Sequence, residues 1–143
     1  MKLKNIMIGG IAALTMGICS VAAAGTNAHG YYPPERINCA VKGARLVCEG
    51  FNHHYLVEDS SNTNFDGKDK VFAFYSGSAY FTLDGSEAKI LFTYKNGHHQ
   101  AVRLRSANSS IKPDIEHGNW QKVQDDLYIC KGGYMHCPVI SGA

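Results

Sequence analysis

The sequence predicts an all-β domain, a small antiparallel β-sandwich or barrel that is disulfide-stabilised and follows a cleaved signal peptide. Three observations carry this. Short runs of β-branched and aromatic residues recur between Ile37 and Leu104. Turn signals such as Gly43-Ala44, Asp84-Gly85 and Asn96-Gly97 punctuate them at close spacing. Four cysteines remain beyond the N-terminal segment, an even set of the kind that crosslinks small exported β-domains.

The N-terminus sets the compartment. Lys2 and Lys4, the apolar run from Ile6 to Ile18, and the small residues Ala22, Ala23 and Ala24 have the layout of a secretory signal peptide cleaved after Ala24. Ala28 offers a second small-residue end, and bulky Ile18 argues against lipid attachment at Cys19. The apolar run is shorter than the ~20 residues a membrane-spanning helix needs. Residues 1–24 are therefore expected to be removed, residues 25–36, with Tyr31-Tyr32-Pro33-Pro34, to form a flexible leader, and residues 37–143 to form a single β-domain. The full chain has 14 basic and 12 acidic residues, and loss of Lys2 and Lys4 brings the two counts level. That balance calls for neither nucleic acid nor an anionic membrane as partner. No further apolar segment is long enough to span a bilayer, so the mature chain is expected in the periplasm or outside the cell.

Cys39, Cys48, Cys130 and Cys137 read as two disulfides, with spacing favouring local pairing over the two long-range alternatives. A zinc site would need C-x-x-C-like spacing, which neither pair has. Register supports the first bond. If Gly43-Ala44 is a two-residue type II′ turn, then Lys42 faces Arg45, Val41 faces Leu46, and Cys39 faces Cys48 at a non-hydrogen-bonded site, where Cα atoms lie about 4.5 Å apart. Ile37, Val41 and Leu46 share that face.

Phe51 to Val57 reads as a further strand containing His53 and His54, whose side chains point to opposite faces and do not converge on one ion. Here and at His98-His99 one ring is expected in solvent and one against the sheet. The loop from Asp59 to Lys70 supplies the one calcium candidate, Asn62, Asn64 and Asp66 before Gly67, like the first half of an EF-hand loop. Ala73 stands where the bidentate glutamate belongs, and Lys68 and Lys70 bring positive charge. Val71 to Leu83 reads as two strands broken at Ser76-Gly77-Ser78.

The hairpin from Ala88 to Arg105 is the centre of the predicted sheet. A two-residue turn at Asn96-Gly97 would put Ile90, Phe92 and Tyr94 on one face with His99, Arg103 and Arg105. A three-residue loop, Lys95-Asn96-Gly97 with Gly97 left-handed, instead pairs Tyr94 with His98, Phe92 with Gln100 and Ile90 with Val102. One face then carries Ile90, Phe92, Tyr94, Val102 and Leu104. The other becomes a basic outer strip of Lys89, Thr93, His99, Arg103 and Arg105. Beyond it, Pro113 opposes a central strand, Gln121 to Asp126 has room for a short helix, and Trp120, Val123, Leu127 and Ile129 are expected in the core.

No G-x-S-x-G, H-E-x-x-H or phosphate-binding glycine loop occurs, so no catalytic residue and no cofactor is assigned. The expected function is binding of a protein or of an envelope or host ligand, with Lys89, His99, Arg103 and Arg105 as candidate binding residues. A secreted hydrolase whose site assembles only in the fold is a further alternative. Ser76-Gly77-Ser78-Ala79-Tyr80 resembles the S-G-x-x-Y stretch of small periplasmic lysozyme inhibitors of the c-type class. That resemblance implies an exported β-barrel that inhibits an extracellular enzyme such as lysozyme, with Ser76 and Lys95 entering the enzyme's cleft. The family's tryptophan before the lysine is absent here, and Asn96 separates Lys95 from Gly97.

Overall fold

Apolar alternation with a period of two runs through most of the chain, and strands follow it. A computed structural model describes residues 28–58 and 65–142. Its strands, in chain order, are β1 (Ala28–Tyr31), β2 (Arg36–Lys42), β3 (Arg45–Glu49), β4 (Tyr55–Val57), β5 (Val71–Phe81), β6 (Ala88–Lys95), β7 (Ala101–Ser106), β8 (Ile111–Pro113), β9 (Gln121–Gln124), β10 (Leu127–Cys130) and β11 (Val139–Gly142). One 3₁₀ turn, Tyr134–His136, precedes β11. Eight strands form an antiparallel sheet ordered β9-β10-β5-β6-β7-β4, with β2 pairing both β5 and β3, and a smaller sheet has the order β8-β11-β1. The circuit β3-β2-β5-β6-β7-β4 makes a near-barrel, in line with the expected all-β class. The signal-peptide reading of residues 1–24 lies outside the described residues.

The β2–β3 hairpin has the expected register, Lys42 opposite Arg45 and Cys39 opposite Cys48. Gly43 alone takes a positive φ, +65°, as a type II′ turn requires of its first central residue. The Cys39–Cys48 disulfide joins Cα atoms 4.0 Å apart, and Cys130–Cys137 closes the C-terminal loop. Ile37, Cys39 and Leu46 are buried; Val41, beside the turn, is exposed.

Three expectations for the middle of the chain are corrected. Ser76-Gly77-Ser78 is not a break, because β5 runs unbroken through it. The glycine answers a packing need: a Cβ there would lie 2.9 Å from Phe92 Cε1 and 3.0 Å from Trp120 Cη2. A bulge sits at Tyr75 instead, since Phe74 pairs with Tyr94 and Ser76 with Thr93. One edge of β5 is also divided, with β2 beside Val71–Ala73 and β10 beside Gly77–Tyr80, while β6 follows the other edge.

The β6–β7 hairpin is the second correction. Tyr94 faces Val102 rather than His98, and Phe92 faces Leu104 rather than Gln100, leaving a five-residue loop from Asn96 to Gln100. Asn96 fills that loop. Its Oδ1 accepts the N–H groups of His98 (3.0 Å) and Gln100 (2.9 Å), and its Nδ2 donates to Asp69 O (2.9 Å) and Gln100 Oε1 (2.8 Å). Gly97 is not left-handed; His99, at φ +61°, takes that role. The shift is by an even number of residues, so both faces survive: Ile90, Phe92, Tyr94, Val102 and Leu104 are all buried.

Third, His53 and His54 lie in a turn rather than a strand. Asn52 organises it, its Oδ1 accepting His54 N–H at 2.9 Å and its carbonyl accepting Tyr55 N–H at 3.2 Å. His54 stacks on Tyr31 with ring centroids 4.8 Å apart and His53 is exposed, but His98 and His99 are both exposed. Within the stretch read as a flexible leader, Pro33 is fully buried, Pro34 O accepts the Tyr94 hydroxyl at 2.7 Å, and Glu35 O accepts Phe74 N–H at 2.9 Å. Near the C-terminus, Gln121–Gln124 is strand β9 and not a helix, and Val123 is exposed because β9 lies at the sheet edge. Trp120 is buried, its Nε1 donating to Pro138 O at 2.8 Å.

The Asp84-Gly85 turn carries a titration. Asp84 Oδ1 accepts the Ser86 N–H (3.0 Å) and the Thr82 (2.7 Å) and Ser86 (2.8 Å) hydroxyls. These bonds, led by the Ser86 N–H, hold its carboxyl down at about 2. The ionised form is the one the turn binds, so its contribution is complete above the usual carboxylate range near 4 and is lost as pH falls through about 2. The Ser86 amide shift, followed by NMR, should titrate with a midpoint near 2; a midpoint near 4 would contradict the assignment.

Candidate functional site

Side chains of β10, β5, β6 and β7 that do not enter the core meet on the outer face of the main sheet, where register aligns them in rows. Ile129, Ser78, Leu91, Arg105 and Leu56 form one row across five strands. Leu127, Tyr80 and Lys89 form the next, and Ser76, Thr93 and Arg103 lie on the other side. Tyr80 and Leu56 are each 44% exposed. At the bulge, Tyr75 is 55% exposed and carries Lys95 Nζ 3.8 Å from its ring centroid, a cation–π contact.

The candidate binding residues separate into groups. Lys89 and Arg105 come together on Glu58, whose two carboxylate oxygens hold Lys89 Nζ at 3.1 Å and Arg105 Nε at 3.3 Å. Arg103 is exposed opposite Thr93 and has no ion-pair partner among the described residues. Ser76 faces Thr93, two residues before Lys95, so Ser76 and Lys95 occupy adjacent strands beside the bulge. His99 stands apart in the hairpin loop, at the opposite end of β6 from Lys89. The basic strip is therefore a Glu58-bridged end, an open centre at Arg103 and a Tyr75–Lys95 end.

Asn62 and Asn64 of the calcium candidate lie outside the described residues. Asp66 is exposed, and its Oδ1 accepts Lys68 N–H at 3.0 Å, an ordinary turn contact. Among the described residues no three His, Cys, Asp or Glu side chains cluster as metal ligands. Burial, reinforced by a neighbouring phenol in each case, pushes Tyr55 and Tyr94 well above the ordinary tyrosine range, so both stay protonated at neutral pH.

Sequence reasoning missed Tyr75, Tyr80, Leu91 and Glu58. Tyr80 stood inside the S-G-x-x-Y stretch and alternates with buried Ala79, which was the available signal. Glu58 had none, since its place depends on β4 pairing with a strand far along the chain.

No family model matches the chain, nor does any curated protein or solved structure. Two disulfides fit an oxidising compartment, and no helix among the described residues is long and apolar enough to cross a membrane.

Proposed function

We propose that the protein is exported to the periplasm or beyond the cell and acts by binding a protein, or an envelope or host ligand, through the outer face of β10, β5, β6 and β7. The observation that carries this reading is the exposed Tyr75–Lys95 pair beside open Arg103, set in a row-aligned face with Tyr80 and Leu91. Tyrosine and arginine are enriched among the few residues that dominate binding at protein interfaces, and a rigid sheet presents them at little entropic cost. A second reading, inhibition of an extracellular enzyme such as lysozyme, is favoured by Ser76 and Lys95 lying on adjacent strands beside the bulge, Ser76 opposite Thr93 and Lys95 two residues further along β6.

One set of variants tests both. Tyr75→Ala with Arg103→Glu should keep the wild-type melting temperature and weaken capture of the partner from envelope or host extracts by roughly 30-fold, the loss of one interface hot spot. Retained capture would place the interface elsewhere. In a lysozyme lysis assay, inhibition abolished by Ser76→Trp would assign the inhibitor role, and no inhibition of any lysozyme would end it.

A further inference from the structure

A cleft of about 470 Å³ is lined by Tyr32, Pro34, Gly50, Phe51, Asn52 and Tyr55. None of these residues belongs to the rows of the outer face, and none carries a charge. Two irregular stretches, one before β2 and one after β3, form its walls, and both are held from behind. Pro33 is fully buried, Pro34 O accepts the Tyr94 hydroxyl and Glu35 O accepts Phe74 N–H, which fixes the first wall against β5 and β6. On the second, Gly50 has φ +103°, and a Cβ there would lie 3.3 Å from Arg36 O, so glycine lets the chain leave β3 this close to β2. Asn52 closes the turn, its Oδ1 on His54 N–H and its carbonyl on Tyr55 N–H. The cleft is therefore preformed, and its volume falls in the range of ligand sites, about 300–1,000 Å³.

Tyr55 is 2% exposed, and its hydroxyl has no hydrogen-bond partner among the described residues. A buried hydroxyl without a partner is destabilising, and an acceptor brought in by a ligand removes that deficit. The Tyr55 phenol lies close enough to Tyr94 to push up its titration, and the Tyr94 hydroxyl sits on Pro34 O, so the unpaired group stands behind the Pro34 wall. At the mouth, Tyr32 is 50% exposed and Asn52 is exposed. With Oδ1 committed to His54, the Asn52 amide offers its Nδ2 donors. Aromatic surface and side-chain donors thus meet without charge.

Proline matches that combination. Its ring is apolar, it has no N–H, and in polyproline II conformation its carbonyls have no internal partner. A charged ligand would find no counter-charge on the lining, and an ordinary peptide would bring an N–H with every carbonyl. All four prolines of this chain, Pro33, Pro34, Pro113 and Pro138, lie within the described residues and are buried or half-buried, so the segment comes from another protein.

We propose that the cleft takes a proline-rich segment of a partner protein in polyproline II conformation, its rings against Tyr32 and Phe51 and its carbonyls accepting from Asn52 Nδ2 and the Tyr55 hydroxyl.

The test titrates acetyl-hexaproline-amide into ¹⁵N-labelled, disulfide-intact protein. The amide signals of Gly50, Asn52 and Tyr55 should shift, and Tyr32→Ala and Tyr55→Phe should each weaken binding about tenfold or more. Tyr55→Phe should keep or raise the melting temperature, because the hydroxyl it removes is unpaired. Four results would overturn the proposal: no shift at millimolar peptide, wild-type binding by both variants, a lowered melting temperature for Tyr55→Phe, or the same shifts from a glycine–serine peptide of equal length or from an N-acetylglucosamine trimer. The third would give the hydroxyl a partner inside the protein, and the last would make the occupant any peptide or a glycan.

Discussion

Replacing Asn96 with alanine should lower the unfolding free energy by about 3 kcal/mol, a large effect for a loop residue. Asn96 is 7% exposed, and its side chain makes four hydrogen bonds, which join the hairpin loop to itself and to Asp69. At about 1 kcal/mol each, less some relaxation, they sum to that value. Alanine would leave the His98 and Gln100 N–H groups and the Asp69 carbonyl without their partner. Urea unfolding with the disulfides intact is the measurement, and a shifted midpoint with an unchanged slope is the expected signature. Asn96→Asp keeps the two acceptor bonds but sets a carboxylate near the oxygens of Asp69 and Gln100. The new carboxyl is expected to titrate above its unfolded value, so this variant should lose stability as pH rises through its folded midpoint. A loss below about 1 kcal/mol for Asn96→Ala would mean that other contacts shape the loop.

Gly77→Ala should cost about 2 kcal/mol and Gly77→Val more, with no loss of any wild-type contact to explain it. The added carbon would meet two rings at once, the edge of Phe92 and the far corner of the Trp120 indole. Phe92 is fully buried and Trp120 nearly so, and both lie among close-packed neighbours, so neither ring can move freely. Thermal unfolding gives the magnitude and Trp120 fluorescence the place. Phe92→Leu, which removes one of the clashing rings, should be less harmful in the Gly77→Ala background than in the wild type. A Gly77→Ala protein as stable as the parent would show that the rings yield at no cost.

These two residues also mark where the sequence was readable and where it was not. The β2–β3 hairpin was legible down to its disulfide because everything that determines it lies within Ile37 to Glu49: a glycine suited to one turn type, and a register that follows by counting. In the β6–β7 hairpin the faces were legible, because they depend only on alternation. The loop was not, since Asn96 takes its conformation partly from Asp69, a neighbour in space that lies 27 residues away. Gly77 read as a breaker for a similar reason: its cause is the contact with Phe92 and Trp120, and residue type alone makes any glycine look like punctuation. The candidate site divides in the same way. Its basic side chains could be assigned to one face, but the sharing of Glu58 by Lys89 and Arg105 requires β4 to lie beside β7.

The divided edge of β5 has a consequence for the order in which the chain assembles. The two crosslinked ends are local, with sequence separations of 9 and 7, and each can close at small entropic cost before anything else is in place. Neither can dock until Val71–Phe81 is laid down, because β2 and β10 both use that strand as their template. Long-range strand pairing is the slow part of folding β-proteins. The placing of β5 should therefore set the pace of folding, with the two ends waiting as preformed pieces for the strand that joins them.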